Sequence, residues 1–331
     1  MMVSVVIPAF NAEQYLSEAV DSVLLQEMNS VEILIVNDGS TDGTSFLITE
    51  YEKQYPGIVR GLEHPGRINQ GVSRSRLLGL QEAQGEFIAL LDADDSFLPG
   101  KMEKQLQVFR EHPEVIMCHT AAKVQNENVS GLKAYTARKK DFAPFEENRQ
   151  YQLLDQPYRL QYCPICNSSV LVRCESMRSA FRAIPQAYQC EDWLTSCLLA
   201  QAGSFYYIDE PLVTYRIHAD SFTENHSRDQ LKQTFGEIEF YASLSVLAVQ
   251  EELRFEAEQR LVEKINLLRF LYAQGGAINE LEESKSLLSE GWHARLIWER
   301  DVYQKRLNKM NQHFSVRLLR RVGILPKWER P

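Results

Sequence analysis

No run of apolar residues in this sequence reaches the roughly 18 needed to cross a bilayer, so a membrane-spanning helix is excluded as its organising element. The opening stretch Met-Met-Val-Ser-Val-Val-Ile-Pro has no basic segment and no cleavage site. It reads as a first strand and not as a signal peptide. Positive charge is in short supply: 36 Lys and Arg stand against 45 Asp and Glu, and the net charge of −9 argues against nucleic acid as a partner. A phosphate-bearing substrate stays open, because a divalent cation can bridge acid to phosphate. Cys163-Pro-Ile-Cys166 is the only close cysteine pair, with no second pair and no histidines at zinc spacing. The six cysteines therefore read as buried thiols of a cytosolic chain. No Gly-x-Gly-x-x-Gly follows the first strand, so the usual dinucleotide cradle is missing. Internal repeats are absent as well.

What is present is an ordinary globular composition, 44% hydrophobic and 24% charged, over 331 residues. Short apolar runs alternate with amphipathic stretches. Residues 4–9 form a strand, and Asn11 with Gln14 suits a capping box for the helix whose face carries Leu16, Val20, Val23 and Leu24. Residues 31–36 form a second strand, ending in the turn-rich Asn37-Asp38-Gly39-Ser40-Thr41-Asp42-Gly43, and a helix follows to about Tyr55. Short connections between strand and helix predict a parallel α/β sheet.

Residues 85–95, Gly-Glu-Phe-Ile-Ala-Leu-Leu-Asp-Ala-Asp-Asp, carry the strongest chemical signal. A buried strand runs straight into three carboxylates, and ligands bind outside the carboxyl ends of strands in open α/β sheets. In extended chain Asp92 and Asp94 point the same way, and two hard oxygen donors suit Mg²⁺ or Mn²⁺. An Asx turn capping the next helix is the alternative, and the two are compatible. For Asp38 the alternative is turn chemistry alone. Arg74 and Arg76 open a helix over residues 71–84. Two cations at a helix start oppose the dipole, which fits a nearby anion such as a diphosphate; solvated surface arginines are the other reading. The next helix starts at Pro99 and carries Met102, Leu106 and Phe109, and residues 115–119 and 168–172 read as strands. Residues 123–160 read as a loop or irregular insertion that includes the basic triplet Arg138, Lys139 and Lys140. Glu191 and Asp192 precede an apolar helix, either as dipole partners or with one of them as a general base. Two short strands, 205–208 and 212–216, lead to His218.

Beyond Arg228 the pattern turns helical. Residues 292–331 hold ten Lys or Arg against three Asp or Glu, so +7, which leaves 26 against 42, or −16, for the rest. Such a tail suits a helix lying on an anionic membrane surface, or a basic helix docked on the acidic main domain.

Several of these stretches occur together in one order. Residues 4–11 (Ser-Val-Val-Ile-Pro-Ala-Phe-Asn), 36–44 (Val-Asn-Asp-Gly-Ser-Thr-Asp-Gly-Thr) and 85–95, with Glu191-Asp192 and Tyr215-Arg216-Ile217-His218, resemble the family 2 glycosyltransferases of the GT-A fold. The resemblance implies a Rossmann-like, mainly parallel sheet flanked by helices. It implies a GT-A domain over 1–225, with a nucleotide-sugar half to about 95 and an acceptor half beyond it, before a helical region over 226–331. It implies inverting transfer of one sugar from a nucleotide-diphosphate sugar, with uridine the usual base. The acceptor would be a glycan or lipid-linked hydroxyl in cell-surface polysaccharide synthesis, with Mn²⁺ or Mg²⁺ as cofactor. Pro8, Ala9, Asn11 and Glu13 match positions lining the nucleotide pocket, and Asp38 matches the acid that contacts the base. Asp92, Ala93 and Asp94 match the Asp-x-Asp motif, with Asp94 the direct metal ligand, and Arg74 or Arg76 would add charge at the diphosphate. Asp192, beside Glu191, matches the general base, and His218 matches a histidine that in some relatives approaches the metal or diphosphate. Relatives carry Ala-Arg-Asn where this chain has Ser75-Arg76-Leu77, so a polar contact from position 77 is lost. The Gln-x-x-Arg-Trp motif of processive members is absent, which points to addition of single sugars. A cytoplasmic protein, at the inner face of the membrane, is the corresponding expectation. A nucleotide-sugar-binding module without turnover and a membrane-docking protein on the same fold are the alternatives.

Overall fold

In the computed structural model, the described residues are 1–26, 28, 30–126, 149–155, 160, 163, 165–184, 190–219, 221 and 230–275, those of 230–232 and 269–275 as backbone alone. They fall into two units that divide between Arg228 and Asp229.

The first unit is built on strands too apolar to face water on either side. β1 (Val3–Ala9), β2 (Val31–Asn37) and β4 (Phe87–Leu90) are buried almost end to end. Each fully buried Val, Leu, Ile or Phe there contributes about 1.5–3 kcal/mol. β1 pairs in parallel with β2 on one side and β4 on the other, and β3 (Val59–Glu63) extends the sheet beyond β2. The short crossovers carry α1 (Leu16–Leu24), α2 (Thr44–Gln54) and α3 (Val72–Glu82). Gly79 lets α3 lie directly on β1: a Cβ there would meet the Val6 side chain at 2.4 Å.

The chain steps outward from β1 to β3 and returns to the other side of β1 as β4. That reversal opens a crevice at the carboxyl ends of β1 and β4. The second half of the sheet is mixed. It contains β5 (Ser96–Phe97), β6 (Val115–Asn126), β7 (Arg149–Tyr151), β8 (Leu171–Arg173) and β9 (Ser204–Ile217), with α4 (Lys101–Glu111), α5 (Cys174–Ala183) and α6 (Glu191–Ala200) between them. The sheet order is β3-β2-β1-β4-β8-β6-β9-β5, with β7 on β9. β8 runs antiparallel between β4 and β6, while β6 and β9 are parallel.

Several expectations change. The two short strands over 205–208 and 212–216 are one strand, β9, with a register shift against β6 that skips Asp209 and Glu210. A bulge absorbs those polar residues without ending the pairing. Ser168 and Ser169 lie in a 3-10 turn before β8, not in the strand. Within the segment at 123–160, expected to be a loop or irregular insertion, residues 123–126 are the end of β6 and Arg149–Tyr151 form β7; its basic triplet lies outside the described residues. The helix expected from Pro99 starts at Lys101, after Gly100. All six cysteines remain thiols, three of them fully buried and three half-buried.

In the second unit α7 (Gln230–Leu247) and α8 (Glu251–Gly275) pack together. Leu253, Ala257, Leu261 and Ile265 form a buried stripe four residues apart on α8. Among the described residues no helix is long and apolar enough to cross a membrane. The basic tail, 292–331, lies outside them.

Candidate active site

The crevice is floored by the turn that follows β4. The Asp95 amide donates to the Asp92 carbonyl at 3.0 Å, so residues 92–95 bend back rather than continue as a strand. This corrects the expectation that Asp92 and Asp94 project together from extended chain. The turn hands their carboxylates to different elements. Asp92 Oδ1 accepts from Arg76 of α3 at 2.5 Å, and Asp94 Oδ2 lies 3.1 Å from His218 Nε2, just past β9. The two acids still act on each other: burial first, and the Asp92 charge second, push the Asp94 carboxyl above its usual range.

Asp95 is the anchor of the turn. It is 2% exposed, and it accepts from the Ser168 hydroxyl at 2.5 Å and from the Arg216 amide at 2.8 Å. Ser168 Oγ also receives the Asp92 amide at 3.1 Å, so one hydroxyl ties both ends of the turn. The Arg216 side chain donates to the Asp94 carbonyl at 2.9 Å and to Glu18 at 2.5 Å, and stacks over the Tyr15 ring. Tyr15 in turn packs on His218, with ring centroids 4.8 Å apart.

Glu191 and Asp192 open α6. Glu191 is 4% exposed and ion-paired with Arg76, so it is no simple helix cap. Arg76 is therefore not a solvated surface arginine: at 4% exposure it pairs with two acids. Asp192 Oδ1 accepts from the Trp193 amide at 2.7 Å. Burial raises the Asp192 carboxyl, and the nearby Arg76 charge opposes that rise. Arg74 donates to Gln70 Oε1 at 2.6 Å, while its Nε is buried with no hydrogen-bond partner among the described residues.

The rim above β1 and β2 is a mesh. Asn11 does not cap α1, whose N-cap is Tyr15. Instead it adopts φ 48°, donates its amide to Ser40 Oγ and accepts the Thr41 amide on Oδ1 at 2.8 Å. Glu13 Oε2 accepts the Gly43 amide at 2.9 Å, at the start of α2. Asp38 is 3% exposed, with both carboxylate oxygens accepting backbone amides, Gln70 at 2.7 Å and Gly71 at 2.9 Å. Behind it His64 lies 3.5 Å from Asp38 and 2.9 Å from Ser75 Oγ. Gly39, at φ 74°, lets the 67–69 backbone cross directly over it: a Cβ there would sit 2.6 Å from the Asn69 nitrogen. Pro8 and Ala9 end β1 beneath this mesh, and Ala93 is buried in the acidic turn.

Sequence reasoning missed Ser168, Asn167, Glu18, Tyr15, His64 and any role for Arg216. Only Arg216 stood in a quoted motif. Among the described residues no three His, Cys, Asp or Glu side chains converge as a ready metal cage. Asp94, with Asp92 and His218 nearby, still fits a divalent cation. Their donors are carboxylate oxygens and one imidazole, and the repulsion between the two acids is what a cation relieves. Mg²⁺ and Mn²⁺ sites of this kind take further ligands from substrate phosphate and water.

The mainly parallel sheet with helices on its crossovers is the architecture of the GT-A class of sugar-transferring enzymes. The glycosyl transferase family 2 model matches residues 4–178, and the chain belongs to that family. An uncharacterized glycosyltransferase of Nostoc is 30% identical over 66% of this chain and 65% of its own length. The minor teichoic acid biosynthesis protein GgaB of Bacillus subtilis is 36% identical over 34% of this chain and 12% of its own. The chain thus spans about two thirds of the first relative and a small part of the second. Among solved structures, S. aureus TarS 1–349 in complex with UDP-GlcNAc matches with a TM-score of 0.62 at 18% identity, covering 99% of this chain and 94% of that one. At that identity the match shows the fold.

Proposed function

We propose that this glycosyltransferase moves one sugar, with inversion, from a UDP-sugar to a hydroxyl of a cell-surface polysaccharide or its lipid-linked precursor. The observation that carries the reading is the meeting of the 92–95 turn, the start of α6 and the end of β9 through Arg76 and His218. The UDP-GlcNAc bound by TarS and the teichoic acid pathway named for GgaB support the donor and acceptor classes.

Pro8, Ala9, Asn11, Glu13 and Asp38 shape the nucleotide pocket, with Asp38 acting on the base edge from beneath the 69–71 loop it anchors. Arg74, which pairs with no acid among the described residues, is the cation assigned to the diphosphate. Asp94 would hold Mn²⁺ or Mg²⁺ with Asp92 and His218 beside it. Bound there, the ion supplies Lewis-acid stabilisation of charge on the departing diphosphate. Asp192 takes the proton of the acceptor hydroxyl as that oxygen bonds to the anomeric carbon from the face opposite the diphosphate. Burial raises its carboxyl, which strengthens it as a base.

The test is a thermal-shift panel of UDP-, GDP- and dTDP-sugars, each with and without Mn²⁺, on the full chain and on Asp94→Asn. A ligand that binds only the native state raises the melting temperature by mass action. A UDP-sugar shift that needs Mn²⁺ and disappears in Asp94→Asn is the expected result. No shift with any donor, in folded protein, refutes the donor site. The basic tail at 292–331 adds a second element, docking on anionic membrane at the cytoplasmic face. Equal liposome flotation of the intact chain and one ending near 290 refutes it.

A further inference from the structure

α3 carries two arginines two positions apart with opposite surroundings. Arg74 keeps one donor without a partner among the described residues, whereas the Arg76 guanidinium meets two acids and an amide oxygen. One Arg76 nitrogen donates to Asp92 at 2.5 Å and another to Glu191. The Asn167 side-chain oxygen, in the amide orientation that lets it accept, lies 2.6 Å from Arg76 Nη2. A single buried fork thus joins the turn after β4, the 3-10 turn Asn167–Ser169 and the first residue of α6. These segments lie 16, 91 and 115 residues from Arg76 along the chain, at Asp92, Asn167 and Glu191.

We infer that Arg76 is a positioning residue that sets the span between the donor-side carboxylate Asp92 and the helix start bearing Asp192. The inference rests on the reading of Asp192 as the base. Displacement in line needs the base on the face opposite the leaving group, and a misplacement of about 1 Å costs about 100-fold. Glu191 is the residue through which α6 is tied to α3, and Asp192 is its neighbour, so the tie acts on Asp192 through the helix start. A guanidinium serves here because its planar fork satisfies several acceptors at fixed angles. A lysine is a point charge and cannot.

Three full-length variants test this. Arg76→Met leaves Glu191 buried without its partner, so folding itself suffers. The double variant Arg76→Met/Glu191→Met removes the two fully buried charges and leaves Asp92, whose side chain is 30% exposed, to water. It is expected to melt closer to the parent than Arg76→Met does, because apolar residues of similar volume replace a buried ion pair at little cost. It is also expected to bind UDP with Mn²⁺ within about tenfold of the parent and to lose about 100-fold in kcat, the size of a roughly 1 Å misplacement. A folded double variant with parental kcat overturns the inference, since the pair would then be purely structural. Hydrogen exchange gives a readout that does not depend on turnover. In Arg76→Lys the amides of residues 191–194 are expected to exchange faster while those of β1 and β2 keep their protection. Unchanged exchange at α6 overturns the clamp even if the donor class is also wrong. Loss of transfer in the parent itself refutes the proposed function and leaves the exchange test standing.

Discussion

Two loop clusters meet at the crevice and are held by different chemistry. Around residues 10–13 and 40–44 the ties run from backbone amides to exposed side-chain oxygens: Asn11 to Ser40, Thr41 to Asn11, Gly43 to Glu13. Around 92–95 they are charges in a buried setting: Arg76 with Asp92 and Glu191, Asp95 under Ser168 and Arg216. Contacts of the first kind contribute about 0.5–1.5 kcal/mol each, and losing one leaves groups that water can satisfy. Losing a partner in the second cluster strands a buried charge, at a cost of about 3–5 kcal/mol. On the proposed function, the difference separates a rim that would give the pocket its shape from a floor that would place charge for chemistry. Substitutions in the rim should therefore cost a little stability and little turnover, whereas those in the floor should cost turnover, and stability as well where a buried charge loses its partner.

The largest effect that would sharpen this contrast is at Asp192. A general base contributes about 10²–10⁴-fold, so Asp192→Asn should lower kcat by at least about two decades. UDP binding, measured by titration calorimetry, should stay within a few-fold of the parent. The pH profile adds a second reading. Burial raises the Asp192 carboxyl, and the base must be ionised to act. The acid limb of kcat should therefore lie above the ordinary carboxylate range and disappear in Asp192→Asn. Near-full turnover in that variant would break the division between rim and floor at its most important residue.

Legibility in the sequence follows the same division. The parallel half was readable because β1, β2 and β4 are continuous apolar runs ending in turn residues. Asp92 and Asp94 stood out because acids at the end of a buried strand need a reason to be there, whereas Asp38 and Asp192 read locally as a turn and a helix start and were singled out by the family resemblance. β3 was not readable, since Val-Arg-Gly-Leu-Glu has no apolar alternation and relies on β2 for its pairing. Asn167 and Ser168 were not readable either. They reach the floor only because β8 comes back antiparallel beside β4, some 80 residues later in sequence, as the Phe87–Arg173 pairing shows. Periodicity reports a residue's local face and says nothing about which distant strand will lie next to it. Arg76 shows the limit most clearly. Its position on a helix start was visible, but its partners lie 16 and 115 residues away.

A smaller effect tests the rim. Glu13 supplies a carboxylate to the Gly43 amide where α2 begins, a favourable place for negative charge. Glu13→Ala should lower unfolding stability by about 1 kcal/mol, the usual worth of a lost helix cap. Chemical denaturation should detect this while kcat changes less than about twofold, below 0.5 kcal/mol in the barrier. A large loss of kcat at unchanged stability would move Glu13 from the rim to the floor.

The smallest net effect concerns a buried charge on the floor's side of the sheet with no role in the proposed chemistry. Lys101 is fully buried at the start of α4, its Nζ 2.9 Å from Gln105 Oε1 and 4.1 Å from the Phe97 ring centroid. Burial pulls its pKa down to about 7 from 10.5. Between those values the unfolded chain binds a proton that the folded chain does not, so stability rises with pH across the window. The slope is at most about 1.4 kcal/mol per pH unit for one proton. Lys101→Met removes the titration but leaves Gln105 Oε1 without its donor, a loss of about 1–3 kcal/mol. At pH 7 the two terms oppose, and the variant should lie within about 1–2 kcal/mol of the parent, since removing a buried charge gains a similar amount. Raising the pH to 9 should then shift the balance toward the parent, as its lysine enters the fold uncharged at progressively lower cost. Denaturation midpoints of both proteins at pH 7, 8 and 9 measure the gap directly. A gap that does not move with pH means that Lys101 keeps its proton in the fold. The nearby ring and amide would then solvate the charge well enough that burial alone does not separate charges held for chemistry from those merely enclosed.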